Sequence, residues 1–363
     1  MSANPFKPSP GSSPPELIGR QRHLDDVRDA IADGPGAPGR TTLFTGPRGV
    51  GKTVMLNEVE AVFDRAGWLH LSETATPGLA GRILRGAARL LSAEEPPAKG
   101  RITGVRLPGG AGIELQRPAP EPADLRETVE HLSDLLGRRD SGLLLTVDEI
   151  HAGQVPELRE LAVLSQHLVR DDREFALCMA GLPYAISSLL NDDVLTFLRR
   201  ADRHVLGALD LQDVEDAFVE TFADNGRTID VDACRRAARA TEGYPFLVQL
   251  IGHQIWRSTD ADDIGAAAVD RAVAQSRTRL GELLHEPALR FLSDVDRQFL
   301  RAMAEDSGAS RVGDVAERLG RDAQYVNTYR RRLIAAGVVE PAGRGRLEFA
   351  IPYLGDTLRG LDG

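Results

Sequence analysis

The sequence predicts an α/β fold, with a parallel five-stranded sheet flanked by helices, then an all-helical segment and a small mixed unit. Three observations lead there. Five short apolar segments alternate with stretches of helical periodicity, and none shows the polar–apolar alternation of a half-exposed strand, so each is covered on both faces. A chain of 363 residues is too long for one core at about 150 residues per domain. Beyond residue 210 the spacing is helical until a Gly/Arg turn between two short strands near the end.

The elements follow in order. Residues 1–14 carry prolines at 5, 8, 10 and 14 and no apolar run, and read as a disordered tail, not a secretory leader. An α/β core is expected over 15–209. It opens with a helix through Leu24, Val27 and Ile31, ended by the Gly/Pro loop at 34–39. Strands are predicted at Thr41–Thr45, Trp68–Leu71, Leu143–Val147, Phe175–Met179 and His204–Leu206, and helices at Thr53–Phe63 and Leu79–Leu91. Residues 97–122 break the rhythm. Ile102–Leu107 and Ile113–Leu115 around Pro-Gly-Gly read as an inserted hairpin. Residues 210–288 form a helical lid, with apolar spacing at Val214, Phe218, Phe222 and then Phe246, Leu250, Ile251, Ile255. The last unit, 289–363, has three short helices (Asp296–Met303, Val312–Leu319, Ala323–Ala335) and two strands within 337–350.

Composition narrows the function classes. Hydrophobic residues at 42% and charged residues at 27% exclude wholesale disorder, and no uncharged apolar run reaches the ~20 residues of a membrane span. Cys178 and Cys234 are too few for a disulfide framework or a four-cysteine zinc site and read as small buried hydrophobes. Reduced thiols and the missing leader point to a cytoplasmic chain. Net charge is −10, all of it in residues 1–293, because the stretch from Asp294 onward holds 11 basic and 11 acidic residues. Nucleic-acid contact therefore requires a local patch.

The strongest motif is Gly46-Pro47-Arg48-Gly49-Val50-Gly51-Lys52-Thr53, a complete G-x-x-x-x-G-K-T between a predicted strand and helix. Glycines let the backbone approach phosphate oxygens, and successive N–H groups with the helix N-terminus supply donors. Lys52, one of only three lysines, reaches the β- and γ-phosphates of ATP, and the Thr53 hydroxyl ligates Mg²⁺. The strand Leu143–Val147 runs into Asp148-Glu149. Acids at the end of a buried strand are costly unless they carry chemistry. Asp148 holds Mg²⁺ and Glu149 polarises the attacking water. His151, two residues on, reads as a solvated or structural loop histidine.

With the upstream Ile18-Gly19-Arg20 and a helical lid, these motifs resemble an AAA+ ATPase, of the archaeal-type and signal-transduction branch related to origin-recognition initiators. The resemblance implies that Ile18, Gly19 and Arg20 border the adenine. It also implies that Gly243-Tyr-Pro245 is the lid's Gly-x-Pro, standing where other members place a sensor arginine. Between the fourth and fifth strands it makes Arg199 and Arg200, with Arg203 third, candidates for an arginine offered to a neighbouring subunit in an ATP-dependent homo-oligomer. At the end of the fourth strand, Cys178-Met-Ala-Gly-Leu-Pro183 departs from the family, which has a polar sensor there. Slow hydrolysis suited to a switch is the expectation.

The last unit resembles a winged helix-turn-helix. Its third helix carries Gln324, Asn327, Thr328, Arg330, Arg331 and Arg332, and its strand turn Arg344 and Arg346. Amides and hydroxyls read base edges and arginines hold phosphates, so duplex DNA is the expected partner. From Arg321 to Arg346 there are six basic and two acidic residues. Winged helices also dock on protein, so a signalling or scaffold ATPase is the alternative, with a mobile-element helper ATPase behind it.

Overall fold

The computed structural model describes residues 3–9, 11–15, 17–94, 124–152, 155–191 and 196–360. The hairpin expected at 97–122 lies outside them.

The core runs α1 (Gln21–Ala32), β1 (Thr41–Thr45), α2 (Lys52–Arg65), β2 (Leu69–Thr74), α3 (Leu79–Glu94), α4 (Leu125–Gly137), β3 (Leu143–Asp148), α5 (Val155–Arg170), β4 (Phe175–Gly181), α6 (Pro183–Leu190) and β5 (Asp202–Val205). The sheet is wholly parallel, in the order β2-β3-β4-β1-β5. β4 is buried at all seven positions and β3 at its first five, as required of strands covered on both faces. Leu145, Leu177 and Met179 pack on one face with α3, α4 and α5, while Phe44, Leu144 and Cys178 pack on the other with α2. Alternate side chains of each strand thus feed two cores. β1 and β3 lie on either side of β4, so the loops leaving their C-terminal ends open at the same edge of the sheet.

The second unit comprises α7 (Leu211–Asp224), β6 (Thr228–Ile229), α8 (Val231–Ala240), α9 (Pro245–Ser258), β7 (Asp263–Ile264), α10 (Ala266–Leu280) and α11 (Glu286–Arg290), with a π-helical turn at Gly281–His285. Its core holds Val214, Phe218, Phe222, Ile251 and Ile255, read from their helical spacing, whereas Phe246 and Leu250 of the same pattern pack against the first unit. Val248 also belongs to that core, as does Phe6.

That residue overturns the expected disordered tail. Phe6 is 4% exposed, its ring 5.9 Å from Phe218 and 5.2 Å from Phe222. Asn4 Nδ2 donates to the His253 carbonyl, and the Lys7 N–H to Gln249 Oε1 at 3.0 Å. Further along, Asn57 Nδ2 of α2 donates to the Gly11 carbonyl at 3.1 Å. Residues 3–9 and 11–15 thus connect the helical unit to the core as a strap. One aromatic side chain burying ~150–250 Å² offsets the ordering entropy that prolines had already reduced.

The third unit is α12 (Asp294–Ala304), β8 (Ser310–Arg311), α13 (Val312–Leu319), α14 (Ala323–Ala335), β9 (Val339–Pro341), β10 (Arg346–Phe349) and α15 (Leu354–Gly360). Its antiparallel sheet has the order β8-β10-β9, and its core holds Phe299, Leu300, Met303, Val326 and Leu333. A capping box joins Ser293 and Asp296 at the start of α12. The unit is docked on the rest: Tyr353 Oη donates to the Ala240 carbonyl at 2.8 Å, and Arg277 stacks on the Tyr353 ring. His285 places Nδ1 2.7 Å from Thr357 Oγ1 and Nε2 2.8 Å from the Pro352 carbonyl.

Candidate functional site

The loop 46–53 leaves β1 and winds into α2. Gly49 has φ +73°, and a Cβ there would stand 2.0 Å from Tyr244 Oη, so backbone conformation and space both demand glycine. Lys52 is 7% exposed and its Nζ donates to the carbonyls of Gly46 at 2.9 Å and Pro47 at 2.6 Å. Burial pushes its pKa down to about 8, against the pull of Glu149 and Asp148.

The acids of β3 meet this loop from the next strand but one. Thr53 Oγ1 donates to Asp148 Oδ2, and Asp148 Oδ1 accepts the Glu149 N–H at 2.7 Å. The sheet order, with β4 between β1 and β3, makes that pairing across 95 residues possible. Glu149 has φ +55°, an unusual conformation for a residue with a side chain. His151, expected as a bland loop residue, sits with Nδ1 3.0 Å from Glu149 Oε2, off the line of a well-formed hydrogen bond. That contact lowers the Glu149 pKa; burial opposes it, and Lys52 and Arg48 assist.

A cleft of about 330 Å³ opens beside the loop, lined by Arg48 through Val54 and by Glu149. Ile18 and Arg20 also line it. Arg20 is buried, its Nη2 donates to the Gly207 carbonyl, and burial lowers its pKa. Gly19 makes the turn between them with φ +61°. From the helical unit come Pro245, Phe246 and Gln249. Gly243 itself is a packing residue: a Cβ would stand 2.3 Å from the Leu209 carbonyl, while its own carbonyl accepts from the Leu209 N–H at 2.7 Å. The x of Gly-x-Pro proves the important position. Tyr244 Oη donates to the Arg48 carbonyl at 2.6 Å, tying the helical unit to the phosphate loop, and burial raises its pKa.

Sequence reasoning also missed the front wall of the cleft, made by Lys7, Pro8, Ser9, Gly11, Ser12 and Pro14 of the strap. Phe6, a lone aromatic side chain two positions before Pro8, was the available signal. The end of β4 is apolar as read: Cys178 is fully buried, its thiol pushed up to about 12, and Leu182 lines the cleft.

Residues 16–172 match the AAA ATPase domain. A second family model, described only as a domain of unknown function, matches residues 282–358. A search of the curated proteins finds no match. Among solved structures, a Walker-type ATPase of Pyrococcus abyssi, PABY2304, is similar with TM-score 0.68 at 17% identity, over 98% of this chain and 99% of that one. The Aeropyrum pernix ORC2 protein is similar with TM-score 0.63 at 14% identity, over 98% of this chain and 97% of that one. At these identities the likeness is one of fold, and it covers all three units. The core has the α/β P-loop NTPase fold, and residues 16–172 of it are what the AAA ATPase domain matches.

The remaining predicted residues lie elsewhere. Arg199 and Arg200 occupy a 3₁₀ turn before β5, and neither they nor Arg203 lines the cleft. Arg199 Nε donates to the Leu190 carbonyl at 2.8 Å and Arg203 Nη2 to the Arg199 carbonyl at 3.0 Å. On α14, Gln324, Asn327, Thr328 and Arg331 are exposed and share one face by their i, i+3, i+4, i+7 spacing. Arg344 and Arg346 are exposed too. Two arginines depart from the expectation. Arg332 Nη2 pairs at 3.1 Å with Asp296 Oδ2, a fully buried carboxylate, because that charge needs a partner. Arg330 is half-buried with its Nε shielded from solvent.

Among the described residues no helix is long and apolar enough to cross a membrane.

Proposed function

We propose that the chain binds ATP in this cleft, hydrolyses it slowly, and acts as a nucleotide-dependent switch that contacts duplex DNA through a C-terminal winged helix-turn-helix. One observation carries the reading: Lys52, Thr53, Asp148 and Glu149 converge at the mouth of one glycine loop, with Thr53 hydrogen-bonded to Asp148. Lys52 exchanges its two loop carbonyls for phosphate oxygens, and backbone N–H groups of 48–53 hold the rest of the polyphosphate. Thr53 and Asp148, oxygen donors already in contact, fit Mg²⁺ and would hold it, where it neutralises phosphate charge. Glu149 orients the lytic water and draws off its proton. Its contact with His151 and the apolar end of β4 support a low rate. The ORC2 structure contains ADPNP and ADP, which is in keeping with nucleotide in a cleft of this fold.

The DNA half of the reading rests on the polar face of α14 and on Arg331, Arg344 and Arg346, which have no ion-pair partner among the described residues. Docking on protein, the alternative, draws support from the turn after α14: a Cβ on Gly337 would lie 3.3 Å from Arg48 Nε and 3.2 Å from Leu182. That contact also gives the third unit a route to sense the phosphate loop. Arg199 and Arg200 are proposed to reach a neighbouring subunit's site in an ATP-dependent oligomer.

The test is nucleotide hydrolysis with and without duplex DNA. Lys52→Ala is expected to abolish ATP binding, and Glu149→Gln to keep binding while blocking turnover. Wild-type turnover in Glu149→Gln refutes the role of Glu149. Turnover and nucleotide affinity indifferent to DNA, with no salt-dependent DNA retention, move the reading to protein docking.

A further inference from the structure

We propose that His23, Asp26 and His204 form a binding site for one divalent first-row transition-metal ion, separate from the phosphate loop. It is the one cluster among the described residues in which three ligating atoms from His, Cys or carboxylate lie within 4.8 Å of one another. His23 and Asp26 are three apart on α1 and so share a helix face. His204 comes from β5, the edge strand against which α1 begins.

The distances suit a small ion with nitrogen ligands. His23 Nδ1 and His204 Nδ1 are 2.9 Å apart, and Asp26 Oδ2 is 3.9 Å from His204 Nδ1. Ligand bonds of ~2.0–2.2 Å at tetrahedral angles put donor atoms about 3.3–3.6 Å apart, between those two values. Modest side-chain rotations bring all three to one centre. The buried partner is already oriented, since the His204 ring stacks on Phe44 with centroids 5.2 Å apart and planes 22° apart. In the metal-free protein one of the two Nδ1 atoms donates to the other, so the ion takes the place of that shared proton; burial keeps both rings toward the neutral form that ligation requires.

The surroundings favour a cation. The groove around the cluster is walled by Asp29, Asp33 and Asp202 against Arg22 and Arg203. Two imidazoles and one carboxylate select zinc, cobalt or nickel over magnesium, which Thr53 and Asp148 suit better. A fourth position remains for water on the exposed side of Asp26. The ion would clamp α1 to β5. Arg20 directly precedes α1 and binds the Gly207 carbonyl just past β5, so the clamp lies next to the cleft's Arg20 wall.

The experiment uses the full chain without an affinity tag, stripped with chelator and titrated with Co²⁺ alone. One Co²⁺ per chain with visible d–d bands, displaced by stoichiometric Zn²⁺ but not by millimolar Mg²⁺, is the expected result. His23→Ala and Asp26→Asn each weaken Co²⁺ binding at least tenfold while circular dichroism stays unchanged. His23 is only partly buried, which makes it the informative variant where His204→Asn fails to fold. His70, with Asp64 Oδ1 at 2.7 Å and Glu60 Oε2 at 3.8 Å, is the competing imidazole. Absence of saturable Co²⁺ binding, binding unchanged in His23→Ala, displacement by Mg²⁺, or loss of binding in His70→Ala overturns the assignment.

Discussion

Replacing Gly252 by alanine tests the strap with a single methyl group. Gly252 lies inside α9, where glycine normally costs ~0.5–1 kcal/mol relative to alanine, so the substitution would stabilise an isolated helix. Here a Cβ would stand 2.3, 2.4 and 2.7 Å from three atoms of the Phe6 ring. Ordinary carbon contacts begin near ~3.5 Å, so the ring must retreat by about 1 Å or leave its site. The flanking rings of Phe218 and Phe222 block a sideways move, and α9 is held by its own core, so the strap is what yields. Losing a buried phenylalanine costs ~3–5 kcal/mol. The strap's docking is therefore expected to weaken by about 3–5 kcal/mol while the helix gains up to ~1. At tenfold per 1.4 kcal/mol, the undocked fraction rises by roughly 100-fold or more. Hydrogen exchange of residues 3–9, followed by mass spectrometry, reads this directly. Release of a fluorescent ATP analogue should quicken, because Lys7, Pro8, Ser9, Gly11, Ser12 and Pro14 wall the cleft. A Gly252→Ala protein that melts higher and keeps wild-type exchange in residues 3–9 would refute the reasoning.

Affinity for ATP is expected to fall by up to tenfold per pH unit above pH 8. Lys52 in the free protein titrates at about 8 and polyphosphate raises that value, so binding takes up a proton only above pH 8; a pH-independent dissociation constant from pH 7 to 9.5 counts against it. Tyr244→Phe removes the hydroxyl bond to the Arg48 carbonyl and should lower stability by ~0.5–1.5 kcal/mol in urea unfolding, with weaker ATP binding. Arg331→Ala, Arg344→Ala and Arg346→Ala should each flatten the log–log salt dependence of DNA binding by about one unit without changing stability. Arg332→Ala should instead destabilise the third unit, by about 1 kcal/mol, because the Arg332 side chain is half exposed and Asp296 keeps its hydrogen bonds from Ser293. Equal salt effects from Arg331 and Arg332 would show that the α14 face is misassigned. Hydrolysis per subunit should rise with protein concentration and lose that rise in an Arg199→Ala, Arg200→Ala variant; concentration-independent turnover removes the arginine in trans.

What the amino-acid order determined by itself was local. G-x-x-x-x-G-K-T, the apolar strand ending in Asp148-Glu149, and the helical spacing of Phe218, Phe222 and Ile251 are patterns over at most a few turns of chain. Period and turn chemistry suffice to read them. The parallel sheet was legible because its central strands, buried on both faces, cannot alternate. The edge strands β2 and β5 were expected to be covered as well but are partly exposed, since each has a neighbour on one side only. Tertiary structure alone decided which long-range neighbours share a contact. Phe6 looked like one apolar residue in a proline-rich tail until Gly252 left room for its ring on α9. Tyr244 was an unspecified letter between Gly243 and Pro245 until its hydroxyl met the Arg48 carbonyl, 196 residues away. Arg330, Arg331 and Arg332 were equivalent in a charge run, yet the helix turns each to a different environment, and only the buried charge of Asp296 singled out Arg332. The same holds for His23 and His204, 181 residues apart, which meet because β5 joins the edge of the sheet beside α1. Charge, size and period are written in neighbouring letters, but burial and partnership belong to pairs that the chain separates and packing rejoins.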